Sequence, residues 1–170
     1  TMQLACAGLL FSAAIAVPLG ILSAVHRGTW LDGLGKGFAM LGQAMPGFWL
    51  GLLLILMFSV QLGWLPAFGH GSLAHVVMPA IALGWYPVAA QTRIVRSAML
   101  DVLDSDYIRM ARALGTPEPL LVWKYAFRNA AIPFVTMLGV YFASMLGGAF
   151  VIEVIFAWPG RTQLCPTKLP

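Results

Sequence analysis

The residues able to do chemistry are few and widely scattered. Two histidines and a serine share one glycine-rich stretch, Gly69-His-Gly-Ser-Leu-Ala-His75. His70 and His75 could ligate a metal, but two imidazoles on a loop make a poor site without a third ligand. Ser72 lacks a nucleophile elbow, because His70 stands where the first glycine of Gly-x-Ser-x-Gly is required. Gly33-Leu-Gly-Lys-Gly37 looks like a phosphate loop only in composition: the order Gly, four residues, Gly-Lys-Ser/Thr is absent, and the stretch reads as a flexible turn. Cys6 and Cys165 have no metal-binding spacing and are placed too differently to pair, Cys6 reading as a small packing residue. No catalytic, cofactor or metal site is therefore expected. The one arresting acid is Glu153, which ends a long uncharged run. It is either a translocation-path or gate residue facing the bundle interior, or an interfacial carboxylate at a helix end.

The elements that hold these residues follow from composition. Of 170 residues, 60% are hydrophobic and 9% charged, with a mean hydropathy of +0.85. A soluble domain averages about 45–50% apolar and about 25% charged. A water-soluble globule and a disordered chain are both excluded. No Asp, Glu, Lys or Arg occurs at 1–26, 37–92 or 129–152. A helical crossing takes about 20 apolar residues. The expected fold is all-α, a polytopic membrane helix bundle with about four transmembrane helices at 2–25, 37–62, 76–92 and 133–156. The turn-rich stretch Gly63–Ser72 divides the long middle run, and residues 93–132 form a polar segment.

Orientation comes from the basic residues. The loop 26–36 carries Arg27 and Lys36, and 93–128 carries Arg93, Arg96, Arg109, Arg112, Lys124 and Arg128, whereas 63–75 carries none. The first and third loops are assigned to the cytoplasm, and both chain ends to the outside. An outer N-terminus without a signal sequence predicts at least one further span before Thr1. Arg161–Pro170 has no periodicity and reads as an unmatched tail to a single partial membrane domain, 1–160. The net charge of +4 is accounted for by this bias, and no nucleic-acid binding is expected.

Small residues four apart, Gly139/Ala143/Gly147 and Gly47/Gly51, permit close helix approach, within the chain or at a subunit interface or pore wall. Pro18, Pro46, Pro79 and Pro87 should kink or interrupt their spans.

The polar segment has its own pattern. Leu100, Leu103, Tyr107, Met110, Ala111 and Leu114 recur at helical spacing opposite Asp101, Asp104, Ser105 and Arg112. Gly115 should end this helix in a left-handed cap. Thr116 should cap the next, with Pro117 at its first position and Glu118 in its first turn, and Asn129 and Pro133 should stop it. The expectation is helix, glycine corner, helix, lying at the inner surface either against lipid headgroups or docked to a partner.

Asp106-Tyr-Ile-Arg-Met-Ala-Arg-Ala-Leu-Gly115, followed by Arg128-Asn-Ala-Ala-Ile-Pro133, resembles the cytoplasmic signature of ABC-transporter permease subunits. The general pattern is Glu-Ala-Ala, three residues, Gly. Ala111 and Gly115 match it, while Arg109 and Met110 depart from it in the manner of the dipeptide/oligopeptide/nickel branch. Pro18–Val25, Pro46–Gly51, Gln61–Pro66 and Gly147–Gly160 are similar to the same branch, so the resemblance covers about 1–160 and implies a parent with one span more at each end. It further implies a binding-protein-dependent importer of short peptides or similar small solutes in a bacterial-type inner membrane. This chain would be a multi-pass, non-enzymatic permease subunit. Its implied partners are a second, related permease subunit, two cytoplasmic ATP-binding subunits and an extracytoplasmic solute-binding protein. The implied ATPase-coupling residues are Asp106, Tyr107, Arg109, Ala111, Arg112, Gly115 and Glu118. A secondary transporter is the alternative, but it would place ionisable groups near the membrane midplane, where these runs have none.

Overall fold

A computed structural model describes residues 1–69 and 73–158. His70, Ser72, Cys165 and the 161–170 tail lie outside the described residues. Every element is helical: α1 (Met2–Val25), α2 (Trp30–Ala44), α3 (Gly47–Leu54), a π-helical turn (Ile55–Gln61), α4 (Leu73–Leu103), α5 (Asp106–Ala113), α6 (Glu118–Leu120), a second π-helical turn (Leu121–Ala126) and α7 (Phe127–Ile155). Met2–Val25 and Glu118–Ile155 are long and apolar enough to cross a membrane. The pair Trp30–Ala44 and Gly47–Gln61 would add a third crossing if it forms one span.

The prolines act unequally: the interruption expected at Pro46 occurs, and the others leave their helices continuous. Pro46 interrupts the chain, with an extended ψ of 135° that cannot continue a helix. Pro18, Pro79, Pro87 and Pro133 instead lie inside continuous helices. The stop expected at Asn129–Pro133 does not occur, and one helical run extends from Glu118 to Ile155. A proline costs an interior helix roughly 3 kcal/mol, a loss that apolar packing on both sides can offset and that membrane helices tolerate.

The described residues divide into two compact units, one of residues 1–12, 44–69, 73–87 and 140–158, the other of 13–43 and 88–139. The first unit has a small core of Met78, Ala82, Ile152 and Phe156. Gly47 and Gly51 lie against this core: a Cβ at Gly47 would come within 2.9 Å of the Ala82 carbonyl, and one at Gly51 within 3.2 Å of the Phe156 ring. That small-residue pair therefore serves packing within the chain. Gly139, Ala143 and Gly147 are different, being exposed, with no atom within 4 Å of a Cβ built at either glycine. Cys6 is also exposed, not packed, because it sits on the face of α1 opposite the buried Leu4, Ala5 and Gly8.

The second unit has the larger core, in which Ile21, Ala24, Val95 and Met99 join Ile108, Leu121, Val122, Ala126, Ala130 and Phe134. Gly33–Gly37, expected as a flexible turn, is helical and belongs to α2. Asp32 in the first turn favours the helix dipole, and Lys36 one turn on pairs with it at 2.9 Å.

The tightest backbone approach lies in the first unit. A Cβ at Gly84 would sit 2.6 Å from the Gly8 carbonyl oxygen, a backbone atom that cannot swing aside. Gly84→Ala should destabilise the protein by about 1–3 kcal/mol through overpacking. Gly33→Ala, with open space around it, should be neutral or stabilising by up to about 1 kcal/mol. Thermal unfolding in detergent compares the two, and equal midpoints would show that the α1–α4 approach is not tight.

Candidate functional site

The hairpin is built by two turns of opposite character. Asp104 and Ser105 break the helix expected through Leu100–Leu114, so α4 ends at Leu103 and α5 begins at Asp106. Ser105 adopts an extended ψ of 152° and its hydroxyl donates back to the Val102 carbonyl, as short polar residues do when they compete with helix hydrogen bonds. The break resets the helical phase. Ile108 becomes the fully buried residue of α5, while Met110 and Leu114, expected on the apolar stripe, are exposed at 68% and 78%.

The second turn follows expectation. Gly115 has φ +79°, the Thr116 amide donates to the Ala111 carbonyl at 3.2 Å, and the Gly115 amide donates to the Arg112 carbonyl at 3.0 Å. These two bonds are the paired 6→1 and 5→2 bonds of a Schellman cap. The following helix starts one residue later than the sequence indicated. Pro117, not Thr116, occupies the N-cap, with no side-chain capping bond, and Glu118 opens α6. Pro117 has an extended ψ of 137°, leaving the capping role to the backbone, with the Leu121 amide donating to the Pro117 carbonyl at 3.1 Å.

The sequence-expected residues fall into pairs. Arg112 clasps Glu118 across the corner, Nε to Oε1 at 2.6 Å and Nη2 to Oε2 at 3.3 Å. The neighbouring guanidinium lowers the Glu118 pKa, and the carboxylate raises that of Arg112. Arg109 reaches Asp106 only at 3.4 Å, and both side chains are largely exposed. Asn129 donates to the Tyr107 hydroxyl at 2.7 Å, and that hydroxyl donates to the Tyr125 carbonyl at 3.3 Å, tying α5 to the returning helix. Tyr107, Lys124, Tyr125, Arg128 and Asn129 line a cavity of about 410 Å³ at the base of the hairpin. Glu153 belongs to the other unit. It is buried, and its carboxylate accepts from the Thr1 hydroxyl. The helix holding it ends in a cap with Ala157 at φ +48°.

One cluster was not singled out from the sequence. Asp32, fully buried in the second unit, receives Arg96 through Nε at 2.7 Å and Nη2 at 3.0 Å, Lys36 at 2.9 Å, the Ser23 hydroxyl at 2.7 Å and the Gly28 amide at 3.2 Å. Arg96 Nε also donates to Ser23 at 3.1 Å. The carboxylate joins the end of α1, the start of α2 and the C-terminal half of α4. A signal existed: Asp32 is the sole acid in the first 100 residues. Among the described residues no group of three or more His, Cys, Asp or Glu could hold a metal.

Comparison with known proteins bears on this arrangement. A family model described as the binding-protein-dependent transport system inner membrane component matches residues 16–167. The glutathione transport system permease proteins of Pectobacterium atrosepticum, Salmonella typhimurium and Escherichia coli K12 are each 42% identical to the chain over 164 residues, covering 96% of it and 54% of the relative. The chain thus spans about half the length of the curated relatives it matches.

The bidentate pair makes a defined stability prediction. Arg96→Met leaves a buried carboxylate short of its main partner and should cost about 3–5 kcal/mol. Replacing both partners, Asp32→Asn with Arg96→Met, should recover much of that loss. Thermal unfolding of the single and double variants checks this, and a single-variant loss no larger than that of the exposed Arg27→Gln would show the cluster to be dispensable.

Proposed function

The chain belongs to the binding-protein-dependent transport system inner membrane component family, and from that premise we propose that it is part of a multi-pass permease subunit of an ATP-driven importer. In this reading the spans contribute to a translocation path, and the chain does no phosphate chemistry itself. Two cytoplasmic ATP-binding subunits supply hydrolysis, a second permease subunit completes the path, and an extracytoplasmic solute-binding protein delivers cargo. Short peptides are the proposed cargo, and the names of the relatives make the tripeptide glutathione the first to try.

The observation that carries this reading is the hairpin at Gly115. A rigid corner is needed to turn closure of an ATPase pair into movement of the spans. The Schellman cap and the Arg112–Glu118 clasp supply it. Beside the corner, Met110 and Leu114 project apolar surface that no described residue covers, flanked by the charges of Asp106 and Arg109. This mixture of apolar knobs and rim charges suits a groove on a protein partner. Asp106, Tyr107, Arg109, Ala111, Arg112, Gly115 and Glu118 are therefore the proposed coupling residues, with Tyr107 and the Arg112–Glu118 pair holding the hairpin's shape. Glu153 is proposed as a gate-side residue that orders the outer end of its helix.

Gly115→Asp tests the coupling role. No atom lies within 4 Å of a Cβ built there, so the side chain meets no internal clash, and aspartate tolerates the left-handed region better than most residues. In the full-length parent, purified from its native membrane, the variant should insert normally yet lose the co-purifying ATPase and at least tenfold of vanadate-sensitive hydrolysis. Full co-purification and undiminished uptake by the variant would overturn the assignment.

A further inference from the structure

A second site lies beside the Asp32 cluster. Gly35, Lys36, Ala39, Met40, Gln43, Arg93 and Arg96 line a cavity of about 220 Å³ between α2 and the cytoplasmic half of α4. Three of its seven lining residues are cations, in a chain where only 9% of residues are charged. Their one nearby carboxylate, Asp32, is saturated: both of its oxygens are engaged, by Arg96, Lys36, Ser23 and the Gly28 amide. The cations are not saturated. Arg96 commits Nε and Nη2 to Asp32 and leaves Nη1 without a partner among the described residues. Arg93 makes only a 3.4 Å contact from Nη1 to Gln43, a long bond for a guanidinium. Three positive charges against one negative leave the cavity with a local surplus of two.

Part of the cavity lining is apolar. Ala39 and Met40 line it, and Met40 is 74% exposed. Sequence position gives the depth. Lys36 and Arg93 bracket the uncharged stretch 37–92, so both stand where the polar interface meets the hydrocarbon. Free phosphate would gain nothing from Ala39 and Met40, whereas an amphiphile uses both halves of the cavity. Basic pockets between helices on the cytoplasmic side are suited to anionic lipid headgroups.

We propose that the cavity between α2 and α4 holds the phosphate headgroup of an anionic phospholipid, with Arg93, Lys36 and the free Nη1 of Arg96 as donors and Ala39 and Met40 against the acyl chain. The proposal does not rest on the transporter reading. It requires only that the chain be embedded in a bilayer. It also assigns Arg93 a role separate from the Asp32 cluster, since Arg93 makes no contact with that carboxylate.

The test uses the full-length parent in nanodiscs, with native mass spectrometry reading lipids retained after release. Phosphatidylglycerol should be retained over phosphatidylcholine. Arg93→Gln should weaken phosphatidylglycerol retention about fivefold, the worth of one cation at an anionic interface. Gln43→Glu, which adds a repelling charge while keeping all three cationic donors, should weaken it at least as much. Arg27→Gln, an exposed cation paired with Asp104 outside the cavity, should leave retention unchanged. Size-exclusion profiles confirm that each variant is folded. Equal losses for Arg93→Gln and Arg27→Gln would reduce the effect to general surface charge and overturn the site. Stabilisation of detergent-solubilised protein by inorganic phosphate to the same extent, and with the same dependence on Arg93, would assign the cavity to free anions and overturn the lipid.

Discussion

A buried carboxylate is among the most expensive groups a helix bundle can contain, and Asp32 is tolerable only because it is surrounded. Five donor groups from Ser23, Gly28, Lys36 and Arg96 converge on its two oxygens. Satisfied in this way the group is a junction, and deprived of Arg96 it becomes a fault. The requirement fixes three things at once. The chain must turn tightly after α1 to bring the Gly28 amide round, α2 must begin early enough to place Lys36 one turn on, and α4 must run past with Arg96 facing inward. A network of this kind contributes little to net stability beyond what an apolar plug would give, but it accepts only one arrangement of the three segments.

The hairpin depends on that junction through the same core. Arg96 and Met99 are neighbours on α4, and Met99 belongs to the cluster that takes in Ile108 of α5 and Leu121 and Val122 of the returning helix. The hairpin is consequently seated on α4 by apolar contact and is shaped at its tip by backbone hydrogen bonds. The Arg112–Glu118 clasp is exposed and screened by salt, so it contributes direction more than strength. The same division of labour recurs at the other end of the chain, where the α7 cap at Ala157 uses the Glu153 and Val154 carbonyls of the backbone while the Glu153 side chain turns to Thr1.

Much of this was legible in the residues. The helical character, the uncharged runs and the left-handed Gly115 follow from composition and spacing, because each is a local property, and the family was legible by resemblance in the motif that ends at Gly115. What escaped was decided by tertiary partners. Gly33–Gly37 has the residues of a turn but is held helical by Asp32 and Lys36. Pro46 breaks its helix while Pro133 does not, although the two are locally alike in removing one hydrogen bond. The stripe from Leu100 to Leu114 was drawn as one helix, and the Asp104–Ser105 break moved burial onto Ile108 and left Met110 and Leu114 outside. Cys6 reads as packing and proves exposed for the same reason: a face is buried only where another segment arrives.

Scarcity of charge explains why the few ion pairs matter so unequally. In a soluble domain most charges solvate a surface and their loss is silent. Here the ion pairs that link separate segments of the second unit sit at its corners: Arg27 with Asp104, Asp32 with Arg96, Arg112 with Glu118. Their burial differs widely, and energy follows burial. Only the Asp32 pair is withdrawn from water, so only there does losing a partner leave a charge that solvent cannot reclaim. The exposed pairs stay hydrated whichever partner they have, so losing one costs little. The same chemistry thus serves as a fixed joint inside the unit and as a solvent-screened guide to the chain's direction at its surface, and accessibility to water separates the two uses.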